Sequence, residues 1–210
     1  MTQSIDQSDD LSKSDRSYLL GVGYMVAYWN NAENAMRALV SKLLKLNAQQ
    51  ESLLLRHIGN QSLCEVAGES ATQWIADENL LDLILHNLKA FDICRVNRNA
   101  VIHSAFVYPS SDSDDEQGLL ITPPDRNRKK ERVTRTQQSE LSRIGQDCSD
   151  LATFTVRLES FVDLYANFGE QFLVDPFSDH TQELPAKPPL PRLIFDNQQN
   201  SQTRIPPPQS

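Results

Sequence analysis

Two long apolar stripes constrain this chain more than anything else in it. From about Ser14 to Leu46, the residues Leu19, Val22, Val26, Trp29, Met36, Leu39, Val40, Leu43 and Leu44 recur at spacings of three and four. From Ser139 to Phe168 the same spacing runs through Leu141, Ile144, Cys148, Leu151, Phe154, Leu158, Phe161, Val162, Tyr165 and Phe168. That period places the apolar side chains along one face of an α-helix. An amphipathic helix cannot bury its own face, so each stripe demands helical partners, and the economical solution is a bundle.

The segment between the stripes supplies those partners. A short helix is expected over Gln50 to His57, with Gly59-Asn60 as its break. Ser62 followed by Glu65 has the spacing of a capping box and opens a helix carrying Leu63, Val66, Ala67, Ala71, Trp74 and Ile75. Leu80 to Phe106, with Leu81, Ile84, Leu85, Leu88, Phe91 and Ile93, reads as one helix or as two meeting near Val96. Gly21 and Gly23 lower helix propensity and suggest a late start for the first helix, and Asn47 is its expected stop. After Tyr108-Pro109 the helical pattern ends. Leu119 to Thr122 and Arg132 to Thr136, separated by Pro123-Pro124-Asp125 and a basic run, read as a β-hairpin within about 117–136. The expected fold is all-α: an antiparallel bundle of four to five helices over 14–175, with a small inserted hairpin. Residues 1–13 and the proline-, glutamine- and asparagine-rich stretch 176–210 are expected to be disordered, since neither can bury enough apolar surface to order itself.

Length and composition narrow the class. The chain has 210 residues, room for one well-cored domain with tails. It has no apolar run approaching the roughly 18 residues of a membrane span. Met1 to Asp15 is polar and acidic, unlike a secretory signal. Cys64, Cys94 and Cys148 fit neither a disulfide framework nor a paired-cysteine metal site, which points to a reducing cytoplasm. A net charge of −8 argues against a protein that coats nucleic acid non-specifically, yet leaves room for a local basic cleft.

One hexapeptide stands out within the helical pattern: Arg98-Asn99-Ala100-Val101-Ile102-His103. A guanidinium grips phosphate oxygens with a planar fork of donors. Histidine is the side chain suited to exchanging a proton near neutral pH. RNA carries its own nucleophile, the 2′-hydroxyl, so its cleavage needs only a proton acceptor, a proton donor and charge stabilisation at phosphorus. On an ideal helix Asn99 and His103 share a face, with Arg98 offset from His103 by about 140°. Arg98 would then reach the same cleft only from a helix start or a kink, which the suspected break at Val96 would provide.

With this Arg-Asn-x-x-x-His motif entering its penultimate long helix, the chain resembles the HEPN superfamily of ribonucleases. The resemblance covers the helices of Ser14 to Phe106 and the closing helix from Ser139; Trp29 and Glu33 on the first helix are a weaker echo. It implies a metal-independent RNA endonuclease of the toxin or antiphage-defence kind, leaving a 2′,3′-cyclic phosphate. Arg98 would clamp the phosphate, His103 act as acid or base and Asn99 position it. The resemblance also implies a homodimer, with two copies of Arg98 and His103 in one composite cleft, and a neutralising antitoxin or regulatory partner.

Other residues carry weaker readings. Glu33 interrupts the first apolar stripe, where it would pair with Arg98, tune His103 or form a salt bridge within the core. Arg126, Arg128, Lys129, Lys130, Arg132 and Arg135 form a basic cluster suited either to RNA phosphates or to a solvated turn. His57, His86 and His180 lack neighbours at metal-ligand spacing, so neither a metal nor a cofactor is expected. The alternative reading is a non-catalytic helical protein-interaction module with the same fold.

Overall fold

A computed structural model describes residues 13–107, 118–122, 132–136, 138–169 and 184–194. The expectations for 1–12, for Arg126, Arg128, Lys129 and Lys130, and for 176–183 and 195–210 fall outside the described residues. Most of the described chain is helical: α1 (Lys13–Leu43), α2 (Ala48–Leu54), α3 (Asn60–Trp74), α4 (Glu78–Ile102) and α5 (Gln138–Phe168), with a 3₁₀ turn at Leu55–His57. None of these helices is long and apolar enough to cross a membrane.

The glycines of α1 do not delay its start, because one of them serves packing. A Cβ on Gly21 would meet the Leu141 side chain at 3.2 Å, and Gly145 lies 3.6 Å from the Met25 backbone by the same construction. Small residues on both helices therefore let α1 and α5 approach closely. Gly23 instead faces open space. Gly23→Ala is expected to stabilise the fold by about 0.5–1 kcal/mol through helix propensity alone. Thermal unfolding should show a midpoint higher by roughly 2 °C, whereas a fall would mean that the position is not free.

The end of α1 is set by Lys45, at φ 53°, with the Leu46 N–H donating to the Ser41 carbonyl at 3.0 Å. That left-handed residue and its backward hydrogen bond terminate the helix. Asn47, expected as the stop, instead caps α2: its Oδ1 accepts from the Gln50 N–H, and its own N–H donates to Gln50 Oε1, both at 3.0 Å. Likewise α3 begins at Asn60 behind Gly59, so Ser62 is its third residue and not its cap.

Consecutive segments reverse direction, but the first and last do not oppose each other. Gly21 faces Leu141 near the start of α1, and Lys42 pairs with Asp163 at 2.7 Å near its end, so α1 and α5 run parallel. The reason is the return through α2. Ser41 donates to Glu51 at 2.8 Å and Arg37 donates to the Leu55 carbonyl, which brings the chain back to the level of Glu33 before α3 departs. The expectation of a wholly antiparallel bundle is corrected for this pair, the most extensive helix contact in the molecule. By contrast α4 opposes α5, with Asn87 at Thr155.

The core is continuous across all the long helices. Trp29 of α1 packs on Phe91 of α4 with ring centroids 4.9 Å apart, among Met25, Met36, Leu63, Ile84 and Ile144. Burying each such side chain contributes about 1.5–3 kcal/mol. The stripes outrun this core at two ends, where Leu19 is 52% and Phe168 62% exposed.

Helix α4 stops at Ile102 and does not continue to Phe106. Ala105–Val107 forms strand β1, paired antiparallel with β2 (Gly118–Thr122), which pairs antiparallel with β3 (Arg132–Thr136). The pattern Phe-Val-Tyr-Pro explains the switch: aromatic and β-branched residues favour the ladder, and the residue before a proline disfavours helix.

The disorder expected from residue 176 is corrected for residues 184–194, an extended strap lying on α4 and α5. Asn97, fully buried on α4, donates from Nδ2 to the Arg192 carbonyl and accepts from the Ile194 N–H, each at 2.9 Å. His86 Nε2 donates to the Pro188 carbonyl at 2.8 Å, Lys187 pairs with Asp82, and Arg192 pairs with Glu140 at 3.2 Å. Burial would push the Glu140 carboxyl up, but Arg143 and Arg192 beside it hold it below the usual carboxylate range. A proline-rich segment can order itself here because its backbone groups find side-chain partners on a preformed surface and Ile194 enters the core.

Candidate functional site

Helix α4 carries the hexapeptide and positions everything near it. Asp77 caps its start, accepting from the Leu80 N–H at 2.7 Å, and the helix runs unbroken from Glu78 to Ile102. The break expected near Val96 is absent, since no proline or glycine interrupts this stretch and the Asn97 side chain is committed to the strap. Arg98 therefore sits on a regular helix, not at a start or a kink.

A different geometry brings Arg98 and Asn99 together. The long Arg98 side chain folds back so that Nη1 donates to Asn99 Oδ1 at 3.0 Å. The carboxamide expected to orient the imidazole is thus engaged by the guanidinium. Arg98 Nε is buried with no hydrogen-bond partner, and Arg98 makes no ion pair with any described residue.

His103 is the residue that closes α4. Its backbone N–H donates to the Asn99 carbonyl at 3.0 Å, and at φ −99°, ψ 9° it is already leaving the helix. The imidazole is exposed. It stands outside the cavity that Arg98 and Asn99 line. One copy of the chain therefore brings two of the three motif residues together and leaves the third at the adjacent helix end.

That cavity, of about 460 Å³, is walled by three elements. Trp29 and Glu33 come from α1, Gly59 to Ser62 from the start of α3, and Arg95, Arg98 and Asn99 from α4. Glu33 is occupied: it accepts from Trp29 Nε1 at 3.1 Å and from Arg37 Nη2 at 2.8 Å. A salt bridge is the kind of contact present, but it is a half-buried pair along α1 and not one within the core as expected. Arg95 lies one helical turn before Arg98 and pairs with Asp92 at 2.6 Å. Asn60 Oδ1 is buried with no donor.

No protein-family model, curated protein or solved structure matches this chain.

The remaining candidates lie elsewhere. Of the basic cluster, Arg132 and Arg135 belong to β3, whose side chains are not described. His86 holds the strap, and among the described residues no group of three or more histidine, cysteine or acidic side chains could hold a metal. Cys64 and Cys94 are held as thiols and are poor nucleophiles. Burial pushes Cys64 up to about 11, and a hydrogen bond with Cys148 together with burial raises Cys94 as well.

The sequence reading missed Arg95, Asn60 and Asn97. Arg95 had a signal, three residues before Arg98 and so on the same helix face. Asn60 and Asn97 had none, because their importance depends on which segments fold against them.

Proposed function

We propose that this protein is a metal-independent RNA endonuclease of HEPN type with a toxin or defence role. In this reading Arg98 clamps the phosphate, His103 transfers the proton, Asn99 holds the guanidinium in place, and the composite site forms across a homodimer. The observation that carries the reading is the geometry of one helix end. A half-buried guanidinium with no counter-ion among the described residues and an exposed imidazole five residues on lie at the end of the same helix. A single imidazole cannot serve both ends of an in-line displacement, so a second copy related by a two-fold axis supplies the other. An exposed stripe on α1 supports association: Leu20, Tyr24 and Tyr28 lie four residues apart on one face, with Tyr24 and Tyr28 stacked at 6.5 Å.

The test is digestion of total RNA in EDTA by the full chain. Fragments ending in 2′,3′-cyclic phosphate are expected. A well-folded dimer that leaves varied RNAs intact would overturn the enzyme reading. It would favour the alternative, a non-catalytic interaction module whose working surface is the same α1 stripe.

A further inference from the structure

The cavity beside the hexapeptide has the chemistry of an anion site. Asn60, Gln61 and Ser62 are the first residues of the 15-residue helix α3, and their N–H groups have no intrahelical acceptor. Gly59, in the capping position, supplies no side chain to satisfy them. The facing wall carries Arg95 and Arg98. Arg95 spends Nε and Nη2 on Asp92 and Arg98 spends Nη1 on Asn99, which leaves Arg95 Nη1 and Arg98 Nη2 without an acceptor among the described residues.

The charge balance also favours an anion. Among the described residues Glu33 is offset by Arg37 and Asp92 by Arg95, so Arg98 remains in excess there, augmented by about half a positive charge from the α3 terminus. This concentrates positive potential in a chain whose net charge is −8. A tetrahedral phosphate suits that geometry, because it can accept from backbone N–H groups on one side and guanidinium donors on the other. The cavity is larger than a phosphate alone needs, which leaves room for the sugar and base that carry it.

We propose that this cavity binds a phosphate group borne by a nucleotide, held between the first turn of α3 and the guanidinium groups of Arg95 and Arg98. The phosphate belongs either to a free nucleotide or to an RNA strand. The proposal shares Arg98 with the nuclease reading but does not rest on it, since it is read from binding without cleavage.

The test uses the full chain and thermal unfolding at constant ionic strength, with inorganic phosphate, adenosine 5′-monophosphate or a 12-nucleotide RNA lacking terminal phosphates replacing chloride. At a hundredfold excess over the dissociation constant, a bound ligand should raise the midpoint by about 5 °C. Arg95→Gln, Arg98→Gln and Asn60→Pro should each weaken the response at least about tenfold in affinity. The last is the informative variant. Proline is favoured at the first helical position, and Gly59, at φ −70° and ψ 156°, already has the backbone that precedes a proline. Asn60→Pro should therefore keep the unliganded midpoint while deleting one N–H and the Asn60 carboxamide. Binding of the mononucleotide that these variants weaken assigns the site to a free nucleotide, and binding of the RNA that they weaken assigns it to a strand phosphate. No shift beyond chloride with any of the three ligands, or shifts unchanged in all three variants, would overturn the proposal. RNA cleavage by a wild-type protein that shows no such binding would leave the nuclease reading standing and this one lost.

Discussion

His103→Ala is expected to slow RNA cleavage by about 10²–10⁴-fold, the usual worth of a positioned acid or base. The same substitution should leave thermal stability within about 0.5 kcal/mol, because the imidazole is exposed and makes no hydrogen bond among the described residues. Loss of rate without loss of fold would separate a chemical role from a structural one. Arg98→Lys is the companion variant. A lysine keeps the charge but not the planar fork, so it should fail to restore cleavage. Cleavage of a fluorogenic RNA in EDTA measures both. An unchanged rate in His103→Ala would remove the imidazole from the mechanism and with it the reason for a composite site.

The second large effect is structural. Asn97→Ala should destabilise the protein by about 2 kcal/mol and detach the strap of residues 184–194. Asn97 is buried, and both ends of its carboxamide are used. The Arg192 carbonyl retains a second donor, Arg143 Nη2 at 3.1 Å, so the group left orphaned is the Ile194 N–H. Burying that donor unsatisfied costs about 1–3 kcal/mol. Peeling the strap away instead gives up the burial of Ile194, which is 3% exposed, at about 1.5–3 kcal/mol. Either route loses a comparable amount, and the second exposes the backbone. Hydrogen exchange across 184–194 should therefore rise sharply in Asn97→Ala while the centre of α5 stays protected. Unchanged exchange in the strap would show that Lys187, His86 and Arg192 suffice to hold it.

The helices themselves were legible because their signal is local. The stripe Met36, Leu39, Val40 and Leu43 is buried along α1, and Ile144, Cys148, Leu151 and Leu158 along α5, since a period of three to four residues fixes one face wherever the partner lies. The hydrogen bond from Trp29 to Glu33 was not among the readings of Glu33, which looked to Arg98, His103 or a core salt bridge. The hexapeptide was visible as a combination of residue types. Its geometry was not: the expected break at Val96 is missing, and Arg98 reaches Asn99 by bending its own side chain.

What the sequence alone determined is the set of helices and the residue types on each, because helical periodicity and capping depend on neighbours within a few positions. Tertiary structure alone decided three further things. It set α1 parallel to α5, because the return through α2 restores the chain to its starting level before α3 begins. It ordered the strap, because Asn97 offers a carboxamide that only a distant segment can satisfy. And it brought the bare first turn of α3 against Arg95 and Arg98, more than thirty residues away, to line an open polar cavity. Contacts between residues so far apart leave no period in the sequence, since the chain between them encodes its own local structure and not the place where it returns.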